Sequence, residues 1–264
     1  MKIQYCSDLH LEFPANKKYM ERHLLEPVGE VLILAGDILP LSLHNTQSTF
    51  IDFIADNFEQ VYWIPGNHEY YGYDLATVAD PLLEKLRSNV WLVNNQVIAY
   101  KKVSFICSTL WSKVDVVHAL DIQRSISDFF AIKWNGEKFT TRQFNQLHNR
   151  SVAFLEKAFK EKGTSESIVV THHVPTLYDY PKKYRNSPLN GAFVTELHDL
   201  IHDSGADYWI YGHHHFNIPA FKIGAATMLT NQLGYVHHGE HYKFNKSAIL
   251  PHFPTRDNRS ATED

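Results

Sequence analysis

The stretch Val31-Leu32-Ile33-Leu34-Ala35-Gly36-Asp37 decides how this chain is read. Its apolar run does not alternate, which describes a strand covered on both faces, as in the centre of a parallel α/β layer. Gly36 permits a sharp exit. Asp37 then falls at the carboxyl edge of the sheet, where open α/β sheets place their ligands. Alone, such an Asp is as well explained as a turn or cap residue. Four more places repeat the arrangement. Asp8-Leu9-His10, Gly66-Asn67-His68-Glu69, His172-His173 and Gly212-His213-His214-His215 each come just after an apolar run with strand character. Each has an ordinary explanation by itself; five clusters of Asp, Asn and His, all just past strands, do not share one.

Short apolar runs bounded by turn residues predict strands over residues 2–6, 31–35, 61–64, 97–100, 103–108, 167–171, 208–211, 218–223, 226–230 and 247–249. Spacing and end signals predict helices over 48–58, 74–86, 141–162 and 194–203. In the third, Phe144, Leu147, Val152, Leu155 and Phe159 form a helical stripe, and Gly163 is placed for a C-cap. The order implies a layered α/β domain over residues 1–250, with two mixed sheets at the centre and helices outside. Residues 110–140 lack a clean period and are expected to form an insertion beside the active face. Residues 178–190, rich in Pro, Tyr and basic groups, are expected to form a loop over the site, and 251–264 a polar tail that frays.

Composition is that of an ordinary globular protein, 44% hydrophobic and 20% charged, with a net charge of −4 over 264 residues. That balance gives no global basic field, so tight binding to long nucleic acid is disfavoured. The two cysteines, Cys6 and Cys107, lie in strand-like runs and read as buried free thiols, not as a disulfide framework. No apolar stretch approaches the ~18 residues of a membrane span, and the start of the chain lacks a leader's apolar core. A soluble, cytoplasmic protein without a membrane partner is expected; the sequence sets no oligomeric state.

Mixed imidazole and carboxylate donors suit borderline metals, with manganese, iron or zinc the leading candidates and cobalt or nickel also compatible. No Cys stands in the clusters, so a structural thiolate zinc site is not the explanation. Asp8 and His10, two apart in extended chain, would reach one ion together. The proposed arrangement has Asp37 bridging two divalent ions, with Asp8, His10 and His215 completing one and Asn67, His172 and His213 the other. Metals about 3.5–4 Å apart are a common means of attacking phosphorus with water. A bridging water, acidified to near neutral pH, is expected to attack in line. His68, next to a ligand, is the candidate general acid, and Glu69 is expected to orient an imidazole.

In order, the clusters resemble the calcineurin-like metallophosphoesterase pattern of D-x-H, G-D, G-N-H-[DE], a His after a strand, and G-H-x-H. The resemblance runs from residue 5 to 215. Asn231-Gln232-Leu233-Gly234-Tyr235 is similar to that family's Asn-Pro-x-Gly-Tyr segment, with Gln for Pro. The second block departs: Gly36-Asp37-Ile38-Leu39-Pro40 lacks the polar or acidic residue often found there. The doublet leaves a register question, answered in favour of His172, with His173 behind it or facing substrate. The resemblance implies a four-layer α/β/β/α sandwich, and its metal arrangement coincides with the one built from ligand types.

Such motifs do not choose among esters. A phosphodiesterase acting on small or nucleotide-like esters is favoured, with Tyr70, Tyr71, Tyr73, Tyr178, Tyr180, Tyr184 and Arg185 available to frame a phosphate and a ring. The alternatives are a nuclease or nucleotide-pyrophosphate hydrolase, a phosphomonoesterase, and a non-catalytic scaffold. Because the seven ligands and His68 are all present, the scaffold is the weakest of these.

Overall fold

The computed structural model describes residues 1–43, 48–163 and 166–251. The chain begins β1 (Ile3–Cys6), α1 (Pro14–Arg22), β2 (Val31–Ala35), α2 (Ser48–Asn57) and β3 (Gln60–Ile64). It continues through β4 (Leu82–Arg87), β5 (Val90–Asn94), β6 (Gln96–Tyr100) and β7 (Val103–Ser108). Next come α3 (Ala119–Ser125), α4 (Asp128–Ala131), the small hairpin β8 (Lys133–Trp134) and β9 (Glu137–Lys138), and the long α5 (Thr141–Glu161). The last part holds β10 (Glu166–Thr171), α6 (His198–Asp203), β11 (Tyr208–Ile210), β12 (Phe221–Ile223) and β13 (Ala226–Leu229).

One sheet has the order β1-β2-β3-β5-β4 and is parallel except for the edge strand β4; the other has the order β12-β13-β11-β10-β7-β6 and is parallel except at its two edges. Period-two alternation splits each central strand between two cores. Val31, Ile33 and Ala35 of β2 pack with Phe105, Cys107, Ile168 and Val170 between the sheets. Leu32 and Leu34 face the other way, towards Met20 of α1 and Ile51 and Ile54 of α2. On the far side, Val169 and Trp209 meet Leu155 and Ala158 of α5 and Ile201 of α6. Four layers result, helix, sheet, sheet, helix, as the resemblance implied. Cys6 and Cys107 are free and buried, and burial pushes both thiols up.

Several expectations need correction. Residues 74–86 do not form a helix: a 3-10 turn covers Leu75–Thr77, and β4 pairs antiparallel with β5. Pro81 interrupts any helix there, and the helix-favouring sequence of β4 yields to tertiary pairing. Its exposed Glu84 and Lys85 suit an edge strand, where charge discourages further pairing. Helix 194–203 shrinks to α6, whose start is fixed by Glu196 accepting from the His198 amide at 2.9 Å. Residues 218–223 pair only over β12. Residues 247–249 form no strand; they run beside β1 through one bridge, Gln4 to Ile249. Both α1 and the pair β4–β5 were unforeseen. Lys162 ends α5 in extended backbone, φ −62°, ψ 123°, so Gly163 is not a left-handed cap.

Residues 110–140 build a fourth apolar cluster, in which Trp111, Ile122, Phe129 and Phe139 pack against Phe144 and Leu147 of α5. Tail residues 252–264 lie outside the described part. Among the described residues no helix is long and apolar enough to cross a membrane.

Ile33 is fully buried at the seam between the sheets. Ile33→Ala is expected to lower the unfolding free energy by about 2–5 kcal/mol in urea denaturation; a loss below 1 kcal/mol would mean the seam repacks freely.

Candidate metal centre

Every predicted ligand lies just beyond a parallel strand, and all of them meet at the carboxyl edges of the two sheets. The loop after β1 brings Asp8 and His10, that after β2 brings Asp37, and that after β3 brings Asn67 and His68. The second sheet brings His172 from β10 and His213 and His215 from β11. The extended-chain reason given for Asp8 and His10 is wrong, however. Both residues sit in the left-handed region, φ 56° and 47°, as do Asp37 (55°), His213 (78°) and His215 (51°). Such a conformation costs about 1–2 kcal/mol per residue and is retained only where the surroundings impose it. Backbone bonds impose it here: the amides of Asp8 and His10 donate to the carbonyls of Gly36 and Asp37, each at 2.9 Å, and the His213 amide donates to the Asp8 carboxylate at 3.0 Å. Close approach also requires Gly36 and Gly66, since a Cβ on the first would overlap His172 and on the second Asp37.

The donor atoms fall into two groups that share Asp37. One holds Asp8, His10, Asp37 and His215, and the other Asp37, His172 and His213, all within 4.8 Å in each case. In the first, the Nε2 atoms of His10 and His215 face each other at 2.9 Å, with His215 Nε2 3.3 Å from Asp8 Oδ1. In the second, His172 Nε2 lies 3.1 Å from His213 Nδ1, 3.2 Å from Asn67 Oδ1 and 3.3 Å from Asp37 Oδ2. The outward nitrogen of each ring is engaged. His10 Nδ1 meets Glu12 at 3.1 Å, His215 Nδ1 meets Glu240 at 2.8 Å, and His172 Nδ1 and His213 Nε2 meet the carbonyls of Ala35 and Ala192 at 2.9 and 3.2 Å. Asn67 donates its amide to Asp128 at 2.8 Å, which turns its oxygen inward. Outer partners of this kind fix which atom of each ligand points at a metal.

Electrostatics agree with a demand for cations. Burial opposes ionisation of Asp37, but the nearby His172 and His68 hold its carboxyl well below the usual range. Burial likewise opposes charge on His172 and His215. Asp37 and Asp8 nonetheless lift His172 to about 9, and Asp8 and Glu240 lift His215 to about 10. A cation at either group would supply the positive charge these carboxylates favour, and its binding would release protons from the ligands. The donor set and its geometry fit two divalent ions.

Glu69 does not orient an imidazole as expected. Its Oε1 accepts from the Ile38 amide (2.7 Å) and Trp63 Nε1 (2.8 Å), and its Oε2 from the amides of Gly66 (2.7 Å) and Asp37 (2.9 Å). Burial and the Asp37 carboxylate push its carboxyl up to about 7. Yet four donors occupy the lone-pair directions of both oxygens and leave no place for a proton, so the anion is the bound form. His173 is not substrate-facing. It is fully buried, with its ring 4.2 Å from that of His213 and 5.3 Å from that of Trp111. His214 lines the cavity beside the donors and meets Gln232 through Nδ1 at 3.2 Å, and burial lowers its pKa to about 4.

Beside the donors opens a cavity of about 360 Å³. Its lining includes Ser125, Ile126, Ser127 and Asp128 from the segment between β7 and α5, Tyr180, Tyr184 and Phe193 from the segment after β10, and Tyr71, His68 and Tyr235. Of the aromatics singled out from sequence, Tyr71, Tyr180 and Tyr184 reach it. Tyr70 is buried against Trp111, Tyr73 packs in the first core, Tyr178 lies on Phe221, and Arg185 bonds the Tyr180 carbonyl.

The calcineurin-like phosphoesterase family matches the chain over residues 1–217. The chain belongs to that family. All five clusters lie within the matched span, and membership carries a coarse function, metal-dependent hydrolysis of phosphoesters. An uncharacterised protein, L509, of Acanthamoeba polyphaga mimivirus is 29% identical over 273 residues, covering 94% of this chain and 95% of its own. Among solved structures, a phosphopantetheinyl hydrolase (PptH) from Mycobacterium tuberculosis shares the fold at a TM-score of 0.68 and 18% identity, covering 97% of each chain.

Sequence reasoning missed Glu12, Glu240 and Asp128. Glu12, two residues past His10, extends the first motif to D-x-H-x-E and was legible. Glu240 stands 25 residues from His215, and Asp128 61 from Asn67, with nothing local to mark them.

Glu69→Gln would set an amide NH₂ against N–H donors. It is expected to cost about 1–3 kcal/mol of unfolding free energy, against little change for Glu84→Gln on the exposed edge strand; equal effects would refute the clamp.

Proposed function

We propose that this chain is a dinuclear metal-dependent phosphodiesterase acting on small or nucleotide-like phosphate esters. The sharing of Asp37 between two donor groups carries the reading. Asp8, His10 and His215 would hold one ion and Asn67, His172 and His213 the other, with Asp37 shared between them: its Oδ2 lies 3.7 Å from His10 Nε2 and 3.3 Å from His172 Nε2. Divalent ions bound there supply an acidified water and neutralise a phosphate oxygen.

The remaining chemistry belongs to side chains. His68 Nδ1 lies 2.8 Å from Glu12, its backbone amide donates to Asp37 at 2.9 Å, and its ring stacks on Tyr71 at 4.2 Å. Burial disfavours its charge, but Asp37 and Glu12 outweigh that and raise its pKa. A protonated His68 at the cavity would donate to the departing alkoxide. Ile126, Tyr180, Tyr184, Leu189 and Phe193 give the cavity a lining that would take the organic groups of a diester. The chain's net charge of −4 disfavours a long polyanion. Manganese, iron or zinc would serve the donor set.

The deciding assay is turnover of bis-p-nitrophenyl phosphate against p-nitrophenyl phosphate after metal removal and stepwise return of Mn²⁺. Diester cleavage that returns only with metal is expected. Preference for the monoester would replace the reading with a phosphomonoesterase; no turnover of either, with metal bound, would raise the nuclease, pyrophosphate-hydrolase and scaffold alternatives together.

Asp37→Ala is expected to lose both ions by elemental analysis, and a variant that keeps two would defeat the bridge. His68→Ala is expected to keep both ions while slowing diesters with poor leaving groups by about 10²–10⁴-fold and activated ones far less. Equal slowing across leaving groups would remove His68 as the acid.

A further inference from the structure

One carboxylate serves two imidazoles of different duty. Glu12 Oε1 lies 2.8 Å from His68 Nδ1 and 3.1 Å from His10 Nδ1, with the Glu12 side chain only 12% exposed. The two rings meet edge to face, centroids 4.5 Å apart. A carboxylate can only accept, so each ring must carry its hydrogen on Nδ1. Nε2 of His10 then faces His215 and Asp37, and Nε2 of His68 is the nitrogen left for the cavity that His68 lines.

The turn that carries Asp37 offers His68 no second acid, because Ile38 and Leu39 are fully buried in the first core. The loop after β1 supplies it instead. That loop is tied down by the Leu11 amide donating to the Ile38 carbonyl at 2.9 Å and the Phe13 amide to the His10 carbonyl at 3.0 Å. With Tyr71 on one face and the edge of His10 on another, the His68 ring is held from three directions.

We propose that Glu12 is a positioning residue for proton donation: it fixes the tautomer and aim of His68, beyond supporting the ligand His10. The proposal rests on the reading of His68 as the acid. In the step, the P–O bond to the leaving group breaks as the proton on His68 Nε2 passes to the departing oxygen. Glu12 keeps the Nδ1 hydrogen in place, the oxygen of the attacking water forms the new P–O bond, and a proton of that water replaces the one Nε2 gave up. Diester and water thus give monoester and alcohol.

A double-mutant cycle tests this. Glu12→Gln, close in shape, guards against a folding defect in Glu12→Ala; each is combined with His68→Ala, and Glu12→Asp tests for rescue. Metal content is measured first, then kcat over aryl phosphodiesters from nitrophenyl to unactivated phenyl. Expected are two metals per chain in Glu12→Gln, a loss of about 10-fold or more on the poorest leaving group and little on the best. Less than about 2-fold further loss is expected when His68→Ala already carries the defect, since residues acting as one unit are non-additive. Partial recovery in Glu12→Asp is expected. Loss of metal, or losses that multiply in the double variant, would place Glu12 with His10 alone and overturn the proposal. A flat leaving-group response in Glu12→Gln with a steep one in His68→Ala would sink this inference only. A flat response in His68→Ala would sink the acid reading on which both rest.

Discussion

Four N–H groups converge on the carboxylate of Glu69, and the position of Asp37 depends on them. Two come from the loop after β2 and two from around the loop after β3, so a single buried anion ties adjacent strand ends into one rigid edge. Hydrogen bonds to a charged group contribute about 1.5–3 kcal/mol each, and here they act where the backbone is least able to hold itself. Asp37 cannot relax from its left-handed conformation without giving up its own amide's bond to Glu69 and the His68 amide's bond to its side chain.

That rigidity has a purpose in charge. Asp8 and Asp37 are buried close enough that Asp37 raises the proton affinity of Asp8, an effect that neighbouring histidines and hydrogen bonds from the His213 and His68 amides offset. Like charges taken out of water are costly unless matched. A chain that keeps both carboxylates buried, strains five ligand backbones, and occupies the outward nitrogen of every ligand imidazole has arranged its stability around cations. Folding and metal binding are expected to be coupled, with the loops ordered chiefly by bonds to one another and not by regular structure.

The fold and the donor positions were legible in the sequence because both depend on local signals. A run such as 31–35 that is apolar on both faces can only be an interior strand, and the Gly that follows marks the close approach of neighbouring loops. Residues 82–87 were misread because their composition favours helix, while pairing with β5 decides the outcome; no local signal carries a partner strand. Asp8 and His10 were rightly joined for the wrong reason, since loop pairing, not strand alternation, brings them together. Glu69 shows the same limit. Its place beside His68 suggested an imidazole partner, but the turn points its side chain inward to backbone amides. Asp128 and Glu240 lie too far along the chain for any spacing rule.

Donors and cavity walls come from different parts of the molecule. Donors stand at strand ends held by the sheets. The walls come from residues 125–128, between β7 and α5, and from 180–193, both crossings that the sheets do not restrain. The division lets one reaction serve different esters: a change in the walls alters which organic group fits and leaves the donors where they are. Asp128 is where the two parts touch. It contributes to the wall, yet it also turns the Asn67 oxygen inward and accepts from the Tyr71 hydroxyl at 2.8 Å. The Asp128 carboxylate therefore joins the segment between β7 and α5 to the donor set, and a substitution that moves α4 would be felt at Asn67 as well as in the cavity wall.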